Sequence, residues 1–379
     1  MNRRMFYSYI LLLFVCLVPE NGSAVIRHVC FIVNPVSNNG QSVAVWNSIH
    51  RFVSRYFTAV GSQDQAAAQV QPTFEVFITE HAGHGTELAQ QAYQNWQQGQ
   101  HAQEDQILMV AVGGDGTVHE VVQGLGHQQQ VVFGVIPAGA RNNIARELGL
   151  GNKIHALRTL VYGTPAPLGA YKIEACERGS SQKKIVLAVR EFDLGMTTQA
   201  KKMRNDQDYI ERLSRRIRHM PRSAIYGISD ICSLIVWNTP TLRCCIDGGD
   251  RFNIPLNILV GGRTGLTSGS ENGVRPNRQQ GELLYSGERA NFFWTLVHVL
   301  MQKLFNWSGL QHVQFTQLDI EHESETPQDI QVDGDILLQT PAHITWLPEA
   351  LPFMRPPSFG DDGYCLMALE DTEFFFGSL

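Results

Sequence analysis

Three glycines and one carboxylate end an apolar run at residues 112–117, Val-Gly-Gly-Asp-Gly-Thr, and this combination could bring backbone against phosphate. Gly113, Gly114 and Gly116 lack a Cβ, so successive N–H groups can point into one concavity and approach an anion closely. Thr117, Val118, His119 and Glu120 follow as a helix start, whose unpaired N–H groups and positive dipole end favour negative charge. Asp115 is the odd member. A carboxylate inside an anion cradle is repulsive unless a metal ion or a proton-transfer role accounts for it. On these six residues alone, an ordinary strand-to-helix turn with a solvated aspartate stays open as the alternative.

Alternating periodicities mark the elements that must hold this turn. Apolar strands are expected over 29–33, 74–79, 107–112 and 131–136, and helices over 43–57, 86–96, 117–125 and 142–148. Repeated strand–helix units of this length predict an α/β domain, a parallel sheet with helices on both faces. Four loops, 34–40, 79–85, 113–117 and 137–142, then follow four strand ends and meet along one sheet edge, where such sheets bind ligands. Gly, Ser, Thr and Asn converge there, which points to a nucleotide. The phosphate grip is not GxxxxGK[ST], and no GxGxxG follows the first strand.

After the Gly163-Thr164-Pro165-Ala166-Pro167 break the pattern changes. Strands are expected over 169–175, 184–192, 241–246, 254–261, 281–285, 312–320, 330–332 and 343–347, and helices only over 197–219, 223–237 and 289–305. That predicts a β-rich sandwich with helices at one side. The expected organisation is a signal-like or anchor segment at 1–24, a nucleotide-binding domain at 25–165, a β-rich substrate domain at 166–356 and a tail at 357–379 without clear periodicity.

With 379 residues the chain can bury large cores, and 43% hydrophobic with 17% charged residues is a globular composition. A net charge of -6 and a pI near 6.1 argue against a nucleic-acid partner held by bulk electrostatics. Basic residues cluster from Lys201 to Arg222, read either as a solvated helix face or as a patch for anionic membrane lipid. Arg3 and Arg4, an apolar run over 5–18 and small residues ending at Ala24 have the layout of a secretory signal, cleaved or not. A membrane anchor or a buried segment are the other readings of that run. The six cysteines beyond Cys16 lack a disulfide framework, which favours a reducing compartment, and Cys244 and Cys245 read as core strand residues. The sequence carries no signal for an oligomeric state.

The order Asn34-Pro35-Val36-Ser37, then Gly113-Gly114-Asp115-Gly116-Thr117-Val118-His119-Glu120-Val121-Val122, then Ile136-Pro137-Ala138-Gly139-Ala140-Arg141-Asn142-Asn143, then Val332-Asp333-Gly334-Asp335, resembles the diacylglycerol kinase catalytic-domain family. That family takes in bacterial lipid kinases, sphingosine kinases and ceramide kinases. The resemblance spans residues 27–356, dense in the first half and thin in the second. The related NAD kinases share the glycines but not the continuation Glu120-Val121-Val122.

The resemblance implies a fold like that of NAD and diacylglycerol kinases, with ATP held between two domains. Its phosphates would lie on Asn34, Pro35, Ser37 and Asn38 and on Gly113, Gly114, Asp115, Gly116 and Thr117, with Thr79, Glu120, Gly139 and Asn142 contributing. Mg²⁺ would bridge the β- and γ-phosphates near Asp115. Asp333 and Asp335 match an acidic pair in an Asp-Gly-Glu motif that deprotonates the lipid hydroxyl, as an alcohol needs a base at neutral pH. Aspartate in place of glutamate at 335 shortens the reach by about 1 Å. On residues alone, Asp333-Gly334 reads as a hairpin turn.

Three positions depart from the pattern. Ala140 removes a phosphate-facing hydroxyl, Arg141 adds charge beside it, and Gln280 replaces an aspartate that helps hold a structural magnesium, so no metal is assigned there. The expected activity is ATP-dependent phosphorylation of a lipid hydroxyl, on diacylglycerol, a sphingoid base or a similar lipid, at a membrane surface on its cytoplasmic side. The alternatives are a catalytically weakened nucleotide- or lipid-binding protein of the same fold, a kinase of NAD or another soluble alcohol, and, for location, export through the signal-like segment.

Overall fold

The structure is a computed structural model that describes residues 25–59, 72–99, 105–126, 130–216, 239–262, 279–286, 311–323 and 326–356, with single positions at 128, 225, 228, 232 and 237. The segments 1–24 and 357–379 and the helix expected over 289–305 lie outside the described residues, as does nearly all of that over 223–237.

The first half alternates as its periodicity predicts: β1 (Val25–Val33), α1 (Gln41–Tyr56), β2 (Thr58–Ala59), β3 (Thr73–Ile78), α2 (His84–Gln97), β4 (Asp105–Gly113), α3 (Asp115–Leu125), β5 (Val131–Pro137), α4 (Asn143–Glu147) and α5 (Lys153–Tyr162). The strands lie in the order β5-β4-β1-β3-β2, each pairing parallel. Residues 29–33, 107–112 and 131–136 are continuously buried, because helices cover both faces of a parallel sheet. From β1 the chain winds out to β3 on one side, then crosses to β4 on the other. The winding reverses between β1 and β4, and a crevice opens where their following loops part. Helix α5 was not expected from periodicity. Asn152 starts it, its Oδ1 accepting the Ile154 and His155 amides at 2.9 and 3.0 Å.

The second half is strand-rich: β6 (Thr164–Glu177), β7 (Lys183–Ala188), β8 (Glu191–Gly195), α6 (Met196–Asn205), α7 (Gln207–Arg216), β9 (Thr241–Ile246), β10 (Phe252–Pro255), β11 (Ile258–Gly262), β12 (Gly281–Tyr285), β13 (Gln311–Phe315), β14 (Gln317–His322), β15 (Asp329–Val332) and β16 (Asp335–Arg355). The supposed break at 163–167 is a strand. β6 runs through Pro165 and Pro167, which pair with Met354 and Pro352 of β16, while β7 joins β6 only from Tyr171 onward. Alternate prolines place both missing donors on the side of β6 that has no neighbour, where a strand tolerates them. The helix expected over 197–219 breaks at Asp206, and the strands expected over 184–192, 254–261 and 312–320 each divide in two.

Two large apolar cores and a small third one around Met196, Ile258 and Val260 result among the described residues. Of the large ones, one lies around the parallel sheet; the other gathers Tyr171, Phe192, Phe315 and Trp346. Tyr171 on β6 meets Phe192 on β8 and Phe315 on β13, strands it does not pair with, at centroid distances of 5.2 and 5.8 Å. Two strand layers therefore face each other. β16 spans both cores: Ile344 and Trp346 serve the second, while Leu351, Phe353 and Met354 return to the first, where Phe353 stacks on Phe133 at 5.2 Å. Cys244 is buried and Cys245 faces the other side of β9, as strand alternation requires, so the two thiols do not converge.

Candidate functional site

The glycine turn lies at the end of β4 and opens α3, as read from the sequence. Backbone packing explains its composition. Gly113 O accepts the Ala138 amide at 2.8 Å, and a Cβ on Gly139 would stand 2.3 Å from Gly114 Cα. The loops after β4 and β5 thus touch main chain to main chain. Asn142 pins the second of these loops from a left-handed backbone (φ 51), its Oδ1 accepting the Gly139 amide and its Nδ2 donating to Gly139 O, both at 2.8 Å.

The loop after β1 joins them. Asn34 Nδ2 donates to Thr117 Oγ1 at 3.1 Å, and the Asn34 amide donates to Val112 O at 3.0 Å, so this residue ties β1 to the glycine turn across the switch point. Pro35 and Ser37 are half-buried in the same turn, Ser37 Oγ standing 3.5 Å from where a Gly114 Cβ would be. Asn38, at φ 51, leads into α1. Thr79 is buried and anchored through its amide to Val33 O at 2.9 Å. The expected loops therefore converge. Ala140 and Arg141 are exposed on the rim.

The acidic residues divide into distinct roles. Asp115 turns away from electrostatic conflict: its Oδ2 accepts the Asn143 amide at 3.0 Å and its Oδ1 the Ile144 amide at 2.9 Å, so it caps α4. Glu120 accepts the Gly83 and Gly85 amides, both at 2.9 Å, and thereby caps α2. Asp333 and Gly334 form the two-residue turn between β15 and β16, with φ of 47 and 102. The Asp333 side chain is 1% exposed; Oδ1 accepts the Arg190 and Glu191 amides at 2.8 and 3.1 Å, and Oδ2 accepts the Val189 amide at 2.8 Å and lies 3.0 Å from His119 Nδ1. Asp335 is its opposite. It is 59% exposed, with Oδ1 3.6 Å from Lys201 Nζ and Oδ2 4.0 Å from the Cβ position of Gly116.

A charged group around Arg190 escaped the sequence reading. Arg190 bridges Glu147 at 2.7 Å and Glu191 at 2.6 Å. Burial works against its charge, yet Glu191 and Glu147 hold the guanidinium above its ordinary value. Burial likewise pushes the Glu191 carboxyl up to about 7, Arg190 opposing and Asp193, Asp333 and Glu147 reinforcing the rise. Asp193 is raised by burial too, despite hydroxyl bonds from Thr198 and Thr197, and takes Gln331 Nε2 at 2.6 Å. Residues 192–195 are buried without alternation, so strand periodicity gave no signal for this group. Of the basic cluster, Lys201 reaches Asp335, Lys202 pairs with Asp329 at 3.0 Å, and Arg215 pairs within its own helix with Glu211 at 2.7 Å.

The first three amides of α3 have no carbonyl of a preceding helical turn to donate to, an arrangement that favours an anion. For Mg²⁺, Asp335 offers a solvent-facing carboxylate, whereas each oxygen of Asp115 already accepts an amide. Among the described residues, His81, His84 and Glu87 place ligand atoms within 4.8 Å of one another. That trio is poorly prepared for a cation. The imidazoles stack 4.6 Å apart, and His84 Nδ1 accepts the Glu80 amide at 3.0 Å, which leaves the neutral ring's proton on Nε2. Gln280 is exposed.

A doubly wound sheet with a glycine turn at its switch point, facing an acidic hairpin from a strand-rich region, defines a two-part α/β–β fold. Residues 28–173 match the family model of the diacylglycerol kinase catalytic domain. Over 120 residues it is 32% identical to a Bacillus subtilis (strain 168) protein provisionally named lipid kinase YtlR, an alignment covering 31% of this chain and 32% of that one. Over 64 residues it is 41% identical to a diacylglycerol kinase of the same organism, covering 16% and 21%. The aligned chain thus spans about a third and a fifth of these curated relatives. Two solved structures from Bacillus anthracis str. Sterne, both provisionally described as diacylglycerol kinases, superimpose with TM-scores of 0.61 and 0.59 at 17% and 18% identity. Each covers 87% of this chain and 97% or 98% of its own, and at that identity the likeness shows the fold.

Proposed function

We propose that this protein is an ATP-dependent lipid kinase that phosphorylates a hydroxyl of diacylglycerol, a sphingoid base or a similar lipid at a membrane surface. The observation that carries this reading is Asp335, an exposed carboxylate standing over Gly116 at the start of α3. The amides of the glycine turn hold the phosphates, Asn34 and Asn142 fix the loops around them, and Asp335 takes the proton of the acceptor hydroxyl as the O–P bond forms. Asp333 is buried against four donors and orients the hairpin that carries Asp335. Mg²⁺ would supply charge neutralisation at the phosphates, with Asp335 the solvent-facing carboxylate beside the turn that could hold it.

The test is transfer of labelled γ-phosphate from ATP into diacylglycerol and sphingoid-base vesicles, wild type against Asp335→Asn. Label in lipid with the wild type and its loss in the variant support the reading; no label, or equal label, sinks it. A second reading, nucleotide binding without turnover, is favoured by Ala140, which leaves the fourth loop without a hydroxyl. Tight ATP binding with no transfer would support that one.

A further inference from the structure

Helix α3 carries a polar stripe at every fourth residue, whose first member holds α4 and whose next two reach the strand-rich half. Asp115 caps α4, His119 reaches Asp333, and Gln123 holds Leu187 at both ends, Nε2 donating to Leu187 O at 2.6 Å and Oε1 accepting its amide at 3.0 Å. Residues four apart share one helix face, so a single face of the helix that begins at the phosphate turn registers three segments.

His119 stands out in this stripe. It is 5% exposed, and among the described residues it makes the one hydrogen bond between α3 and the turn at Asp333. Both Asp333 oxygens already accept amides, so the short contact with His119 Nδ1 is a donation from the ring to Oδ2. Nε2 is buried with no partner. A buried nitrogen left without a partner is destabilising, and an apolar residue at 119 would avoid that. The Nδ1 bond is what the histidine adds.

We propose that His119 is a positioning residue that sets where Asp335 stands over the glycine turn, acting through Asp333; the catalytic consequence rests on the lipid-kinase reading above. The three amides on Asp333 come from Val189, Arg190 and Glu191, all in the strand-rich half. They hold the turn's shape. Among the described residues, only His119 ties that shape to α3 by a hydrogen bond. A two-residue turn leaves no slack between Asp333 and Asp335, so a tether on the first places the second.

The experiment compares His119→Leu, which fills the site without a donor, with His119→Asn, whose side-chain amide donates from about the position of Nδ1. Hydrogen exchange over residues 330–336 reads the tether without any substrate: exchange in His119→Leu rises about tenfold or more and returns to the wild-type rate in His119→Asn. With ATP and lipid vesicles, His119→Leu loses about 10- to 100-fold in kcat while KM for ATP stays within about twofold, and His119→Asn recovers most of kcat. Melting curves confirm that both variants fold. Unchanged exchange in His119→Leu overturns the tether whatever the activity, and so does a His119→Asn that behaves like His119→Leu. A wild type inactive on every lipid, with the exchange pattern as stated, removes the lipid-kinase reading and keeps the tether.

Discussion

Asp115 and Ile144 meet directly: the Asp115 Oδ1 accepts the Ile144 amide at 2.9 Å, beside the Asn143 amide on Oδ2 at 3.0 Å. The only carboxylate in the glycine turn is therefore also the cap of the helix that follows the fourth loop. This side chain joins the loops that follow two successive strands.

Asp115→Ala removes the cap and is expected to cost about 0.5–2 kcal/mol of stability. Exchange of the Asn143 and Ile144 amides should speed up while the amides of β4 stay protected. Equal exchange in variant and wild type would remove the capping role.

Asp333 and Asp335 should separate in their effects. Asp333→Ala leaves three amides and the His119 Nδ1 without their acceptor, and a loss of about 3 kcal/mol or more in chemical unfolding is expected. Asp335→Asn changes an exposed group and should shift stability by no more than about 0.5 kcal/mol, while phosphate transfer falls about 10²- to 10⁴-fold. A stable, active Asp335→Asn enzyme would return the base assignment to another residue.

Glu191 makes stability depend on pH. Its carboxyl is held up at about 7 in the fold, from an ordinary value of 4.5, first by burial. Between these values the folded chain binds more protons than the unfolded one, so stability falls as pH rises from about 4.5 to 7 and levels off above. Glu191→Gln should flatten this slope and gain relative to wild type at alkaline pH, read from melting temperatures across pH 5–9 in about unit steps. A wild-type slope that persists in the variant would assign it to another group.

Gly139→Ala should loosen the nucleotide site. The added Cβ would stand 2.3 Å from Gly114 Cα and 2.9 Å from Asn142 Oδ1, so two loops must part. ATP affinity is expected to drop about tenfold or more. Gly151→Ala, whose Cβ would meet nothing closer than His155 Nδ1 at 3.8 Å, is the control and should bind as wild type. Calorimetric titration with ATP distinguishes the two.

The sequence by itself determined the frame: four strand-to-helix loops, the glycines of the turn at 113–116, and the Asp333-Gly334 hairpin. These are local properties. Apolar runs, helical spacing and the freedom of glycine and Asp-Gly act over a few residues and need no distant partner. The same local view misread residues 163–167 as a break, because two prolines end a strand unless its open side faces no neighbour, and only the start of β7 pairing at Tyr171 decides that. What the tertiary structure alone decided is which charges meet. Asp115 found the amides of α4, Glu120 those of α2, Asp333 the His119 side chain 214 positions away, and Glu191 a buried place beside Arg190. Each depends on packing that brings remote segments together and excludes water, and neither spacing nor propensity within a segment encodes it.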